Sequence, residues 1–341
     1  MPIKRLEALD VLKYTACLFV ILIHTDIPQT AELIIQPILT TAVPIFFMIT
    51  GFFYSETVKA GRTKKQLQKI AVLALVANLV HIGWACLKCL LGDRTASEFV
   101  AEIIDPTSLV NLLVFNQPIW RTSIWYINAL LVLLFLFYAV QKQEHYRKLY
   151  WCIPVLLTAN LLLGTYSFVF PANEQLLLCY SRNVFFCGIP YFLLGHYVFA
   201  NRQRLCGAFG KWLWVALFWI AGCLELWLLN RFDVLGHKDN LLSSSFLALT
   251  LFCICLKKEF VSGVFWKRIA AFGRKYCFAI YVMHSIILEV FYKIVNGADA
   301  HWPMAATVLY GIGPLLVLIV STLFACAFER VKQRIASFKR P

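Results

Sequence analysis

The chain has 341 residues, 60% of them hydrophobic and 15% charged, and a formal net charge of +14; its mean hydropathy is +0.72. That balance excludes a soluble globular protein, and apolar runs joined by short polar loops use up the length, leaving one domain over residues 1–341. The basic residues are spread over the loops with no aromatic platform beside them, which excludes nucleic acid as a partner and fits the Lys/Arg bias of cytoplasmic loops.

About 20 apolar residues are needed to cross roughly 30 Å of hydrocarbon. Runs of that kind lie at 8–27, 33–54, 70–91, 123–141, 149–168, 183–200, 211–229, 241–257, 275–295 and 304–327. With the N-terminus inside, the inner segments hold 24 of the 32 Lys and Arg and the outer segments hold five. The sequence thus predicts an all-α polytopic integral membrane protein of about ten transmembrane helices with both termini cytoplasmic.

The first run begins RLEALDVLKYTACLFVILIHT. Asp10 and Lys13 interrupt it and no small-x-small cleavage site follows, so it reads as a retained span and not a signal peptide. Eleven helical steps separate Lys13 from His24, which puts both on nearly one face about 16 Å apart. Polar groups on one stripe of a membrane helix should face protein or water. The expectation is a single polar passage with Lys13 near its inner end and His24 near its outer end. His24 has the chemistry of a general base toward a hydroxyl, or it is a packing histidine. Lys13 is either a point charge for a phosphate or the partner of Asp10. Asp26 can orient the His24 ring only if the helix ends there.

In the second run, Pro44, Thr50 and Gly51 of VPIFFMITGFF allow a bend and close helix approach. The basic linker KAGRTKKQLQK follows on the inner side. The outer loop at 92–122 predicts a short interfacial helix, with Trp120 and Trp125 as anchors. Arg121, Trp125, Tyr126, Arg182 and Asn183 gather by topology at the outer face, where they would line an acceptor pocket, although Arg182 serves equally well as an interfacial anchor. Glu225 is an intramembrane carboxylate that needs a partner: a histidine, Lys88 or Lys293. His284 lies mid-depth in the ninth run, as a functional or a structural group. His81 and His196 read as structural. Twelve cysteines sit mostly in apolar runs as small hydrophobes. The CxxC of Cys86 and Cys89 has no second pair at ligand spacing, so no metal is expected.

The ordered set Arg5-x4-Asp10-x2-Lys13-x10-His24, VPIFFMITGFF, the basic linker, WYINALL, RNVFFCGIPYFLLG and YCFAIYVMHS resembles the acyltransferase 3 family along nearly the whole chain. The resemblance implies a ten-span O-acyltransferase of the bacterial inner membrane. It would move an acyl group, usually acetyl from acetyl-CoA, to a hydroxyl of a cell-surface glycan or related acceptor. It implies roles for Lys13, His24 and the late-helix histidine His284; joined to the residue readings, the expected sets are catalytic His24, Asp26, His284 and Glu225, coenzyme A-binding Arg5, Lys13, Lys65 and Lys69, and acceptor-binding Trp125, Tyr126, Arg182 and Asn183. The family's arginine–ten–histidine motif falls on Lys13 and His24, and its arginine pair after the second span falls near Gln66 and Lys69. A lysine at 13 keeps the charge but gives up the guanidinium fork. Family members associated with amino-acid supply leave a second reading open, a non-acylating transporter or sensor of a small polar metabolite such as an amino acid.

Overall fold

The computed structural model describes residues 6–25, 27–140, 143–169, 181–232, 240–257, 263–299 and 303–338. Among these the chain is helical throughout: α1 (Glu7–Ile23), α2 (Gln29–Leu39), α3 (Ala42–Lys59), α4 (Thr63–Leu90), α5 (Ala96–Ile104), α6 (Pro106–Leu113), α7 (Trp125–Ala139), α8 (Gln143–Lys148), α9 (Cys152–Leu163), α10 (Ile189–Ala200), α11 (Arg202–Phe209), α12 (Trp212–Arg231), α13 (Leu242–Cys255), α14 (Val264–Asp299) and α15 (Pro303–Phe338).

Among the described residues five helical stretches are long and apolar enough to cross a membrane: Thr30–Lys59, Thr63–Leu90, Trp212–Arg231, Val264–Gly297 and Gly311–Arg330. A sixth counts if Val184–Ala200 and Arg202–Phe209, bent by 104°, form one broken span. The other four predicted runs carry helices of 17, 15, 12 and 14 residues, about 18–26 Å at 1.5 Å per residue. The predicted helix character holds along the whole order of runs.

The second span is interrupted at Thr40–Thr41, between α2 and α3. Pro44 lacks the amide that would reach back to the Thr40 carbonyl, so the helical ladder is already broken there. Beyond the break α3 packs against α10 through two glycines. A Cβ on Gly51 would lie 1.9 Å from the Phe192 carbonyl oxygen, and one on Gly195 would lie 2.1 Å from that of Met48. Small residues at facing positions let the two backbones touch.

α1 lies inside the bundle, with Leu9, Leu12, Ala16, Cys17 and Ile21 buried. It runs beside α14, where Gly273 admits the Asp10 carbonyl and the Tyr14 side chain. Cys17 Sγ is 3.6 Å from the Cys277 carbonyl oxygen. The loop at 92–122 folds into two short helices where one was expected. Thr95 and Glu98 form a reciprocal capping box on α5, and Asp105 caps α6 with Pro106 in its first turn.

Candidate functional site

His24 is the residue at which α1 ends, and its own N–H still bonds to the Ile21 carbonyl at 3.1 Å. Its ring stacks on that of His284 at a centroid distance of 5.5 Å with 28° between planes. His284 is fully buried in the middle of α14. Its Nδ1–H donates to the Tyr281 carbonyl at 2.5 Å; a carbonyl only accepts, so the Nε2 lone pair is the free one. Among the described residues no group bonds to that Nε2.

His24 opens onto a narrow cleft of about 60 Å³, whose wall also includes Gln36, Thr40, Ser123, Trp125, Tyr126, Arg182 and Tyr281. Three of the five residues expected to form an acceptor pocket, Trp125, Tyr126 and Arg182, therefore share the wall with His24. The far wall is braced by a short polar chain. The Asn240 amide donates to Asn160 Oδ1 at 2.7 Å, and the Asn160 amide donates to the Ser181 carbonyl at 2.7 Å. Cys187 on the same wall belongs to a π-helical turn, Val184–Gly188, a geometry that often accompanies functional sites.

Asn183, a fourth expected residue, is buried behind that wall. Its Oδ1 accepts from the amides of Phe185 and Phe186 at 2.8 and 2.9 Å, so it caps the π turn and holds its neighbours in place. Glu225 is likewise a cap, and the expectation that it pairs with a histidine, Lys88 or Lys293 is corrected. Its carboxylate accepts from Tyr166 Oη at 2.5 Å, the Leu242 and Ser243 amides at 2.9 and 3.1 Å, and Ser243 Oγ at 2.6 Å. A carboxylate at the open amides of a helix N-terminus is favoured by both hydrogen bonding and the helix dipole, so Glu225 anchors α13.

Lys88 and Lys293 have other partners. Lys293 meets Asp93 at 2.6 Å. Lys88 meets Glu289 at 2.8 Å, and the same carboxylate accepts from Trp84 Nε1 at 3.1 Å and pairs with Arg121. Arg121 also donates to the Ser285 carbonyl at 3.0 Å, one residue from His284. Glu289 is the residue that the sequence reading missed, while Arg121, expected at the outer face to line the acceptor pocket, is its partner. The signal was present: Glu289 is an acidic residue inside a membrane run, the criterion that singled out Glu225.

Around this network lies a layer of buried polar atoms without partners among the described residues: His81 Nδ1, Arg121 Nε, Ser123 Oγ, Asn128 Nδ2, His284 Nε2 and Ser285 Oγ. An unsatisfied buried group costs about 1–3 kcal/mol, so their concentration beside the histidine pair marks a place where a polar ligand or water completes the bonding. His81 otherwise behaves as a structural residue, donating from Nε2 to the Val282 carbonyl at 3.0 Å.

The expected continuous passage is not open. On α1 the cleft wall consists of Val20, Ile23 and His24 and does not reach Lys13. Between them, Ala16 and Cys17 are packed against α14 at the level of Cys277. Lys13 is half-buried, and the neighbouring Asp10 pairs with Arg274 at 3.0 Å. Lys65 and Lys69 are exposed, while Gln66 turns inward and leaves its buried Oε1 without a partner. Arg5 and Asp26 lie outside the described residues. Among the described residues no group of three or more His, Cys, Asp or Glu is placed to hold a metal.

A family model described as an acyltransferase domain matches residues 6–328. An amino-acid racemase of Enterococcus faecalis is 25% identical over 214 residues, covering 58% of this chain and 29% of that protein; the chain thus spans less than a third of that relative's length. No solved structure matches. A match that begins before Lys13 and ends beyond His284 takes in the whole histidine cleft, and the chain belongs to the acyltransferase 3 family.

Proposed function

We propose that the protein moves an acetyl group from acetyl-CoA, received at the cytoplasmic side of a bacterial inner membrane, to a hydroxyl of a cell-surface glycan or related extracytoplasmic acceptor. The observation that carries this reading is the His24–His284 stack at the wall of a cleft shared with Trp125, Tyr126 and Arg182. In this reading His24 is the base. It stands on the open side of the pair and takes the proton of the acceptor hydroxyl as the oxygen attacks the thioester carbonyl. The C–S bond then breaks, and the proton leaves with the coenzyme A thiolate. His284, held by the Tyr281 carbonyl, fixes the plane against which His24 stacks. Trp125 and Tyr126 supply a flat apolar platform for a sugar ring, and Arg182 supplies a hydrogen-bond donor at the cleft mouth.

Lys13, the inner-facing linker cations Lys65 and Lys69, and Arg5 form the set for the anionic donor. Because the layer at Cys17 and Cys277 is closed, the donor's pantetheine arm reaches His24 only if α1 and α14 part there. Acetyl-CoA binding is accordingly expected to change the accessibility of Cys17. The decisive experiment uses the full-length protein in detergent with radiolabelled acetyl-CoA and a panel of glycans. His24→Ala should lower transfer by at least about 100-fold, the usual contribution of a positioned base. Unchanged transfer in that variant would remove His24 from the chemistry.

A further inference from the structure

α4 meets α14 along one edge, where His81 bonds to the Val282 carbonyl and Lys88 to Glu289, and leaves the other edge open toward α15. Between them runs a groove of about 370 Å³ walled by Val76, Gly83 and Leu87 of α4, Phe278 and Met283 of α14, and Phe328 of α15. All three helices include stretches apolar enough to span a membrane, so the groove opens sideways to hydrocarbon. From Val76 to Leu87 it follows α4 for eleven residues, roughly 16 Å, about half of the hydrocarbon thickness. Its Leu87 end stops at a polar head of different character: Trp84, Lys88, Glu289 and Arg121. There two cations face one carboxylate, which leaves a net positive charge at the end of an apolar channel.

That head lies next to the histidine cleft. The segment from Arg121 to Trp125 is the partition between them: Arg121 bonds to Glu289 and Ser285 on the groove side, whereas Ser123 and Trp125 line the cleft. The buried polar atoms left without partners, Arg121 Nε, Ser123 Oγ, Ser285 Oγ and His284 Nε2, sit along this partition. We infer that the groove holds the single hydrocarbon tail of a lipid-phosphate-linked acceptor, with the phosphate at Lys88 and Arg121 and the hydroxyl-bearing group carried over the partition to His24. The inference rests on the acyl-transfer reading and narrows its acceptor class. A groove of about 370 Å³ running along one helix suits one tail, the net positive head matches an anionic phosphate, and the orphaned donors and acceptors match the polar group beyond it.

The test separates tail binding from transfer. Full-length protein in detergent is incubated with a long-chain polyisoprenyl monophosphate, and retention is measured by native mass spectrometry. Gly83→Phe fills the groove from a position where an added Cβ meets nothing within 4 Å; Leu87→Trp fills its other end. Both variants should weaken retention at least tenfold, and the neutral polyisoprenol should bind at least tenfold more weakly than the phosphate to the wild type. Equal retention in wild type and both variants overturns the tail site, and equal binding of a diacyl phospholipid overturns the choice of a single-tailed lipid. Transfer to a tail-free glycan is measured in parallel and should be unchanged in Gly83→Phe. Retention lost in the variants with no transfer to any acceptor keeps the tail site and removes the enzymatic reading. Transfer to the tail-free glycan with retention unaffected by the variants does the reverse.

Discussion

Gly51 of α3 and Phe192 of α10 approach so closely that a Cβ on the glycine would sit 1.9 Å from the Phe192 carbonyl oxygen, with Gly195 and Met48 in the matching relation one turn away. Backbone cannot step aside as the end of a side chain can. Gly51→Leu and Gly195→Leu should each destabilise the bundle by at least the 1–3 kcal/mol typical of overpacking, read as a lower thermal transition in detergent. A variant with wild-type stability would mean that the two helices slide freely.

The two stacked histidines should act as a unit. His24→Ala and His284→Ala are each expected to lower kcat for acetyl transfer, and the double variant should be little worse than the more severe single one, as for other groups that work together. Multiplicative losses in the double variant would show that the rings serve separate steps.

Glu225 should fail as a catalytic residue and succeed as a support. Glu225→Ala leaves the first amides of α13 without an acceptor and should cost about 1–2 kcal/mol of stability. Glu225→Gln retains a carbonyl oxygen and should recover part of the loss. In neither variant should the pH profile of transfer shift. A shifted profile with unchanged stability would return Glu225 to the chemistry.

Removing the carboxylate at 289 leaves Lys88 and Arg121 facing each other. Glu289→Gln is expected to cost about 2–3 kcal/mol, the usual worth of hydrogen bonds to charged groups, and the second change Lys88→Met should recover part of it. Calorimetric unfolding of the single and double variants is the measurement, and additive losses would argue against a shared network.

The capping box on α5 predicts a local pH response. The Thr95 amide donates to the Glu98 carboxylate at 2.9 Å and, together with the Thr95 hydroxyl, holds its carboxyl below the usual glutamate range. A carboxylate depressed in the folded state stabilises it above the unfolded pKa, and that contribution is lost as pH falls through the folded value. Amide exchange in the first turn of α5 should therefore accelerate, relative to its intrinsic rate, in acid below the ordinary glutamate range and stay constant above it. Glu98→Gln should abolish the dependence.

Composition and hydropathy alone determined the membrane class, the helical character and the order of the runs, because burying backbone in hydrocarbon leaves little but helix for the chain to adopt. The spacing of Lys13 and His24 was legible for the same reason, since a helix converts sequence distance into depth. Which polar groups meet was not legible, because partners such as Glu289 and Arg121, or Glu225 and the N-terminus of α13, lie far apart in sequence and are joined only by packing. The tertiary structure alone decided that His24 stacks on His284, that Asn183 and Glu225 are spent as caps, and that thiols and small side chains close the layer between Lys13 and the cleft. Periodicity tells a residue which face of its own helix it occupies, whereas the identity of the neighbour across that face is set by how all the helices pack at once.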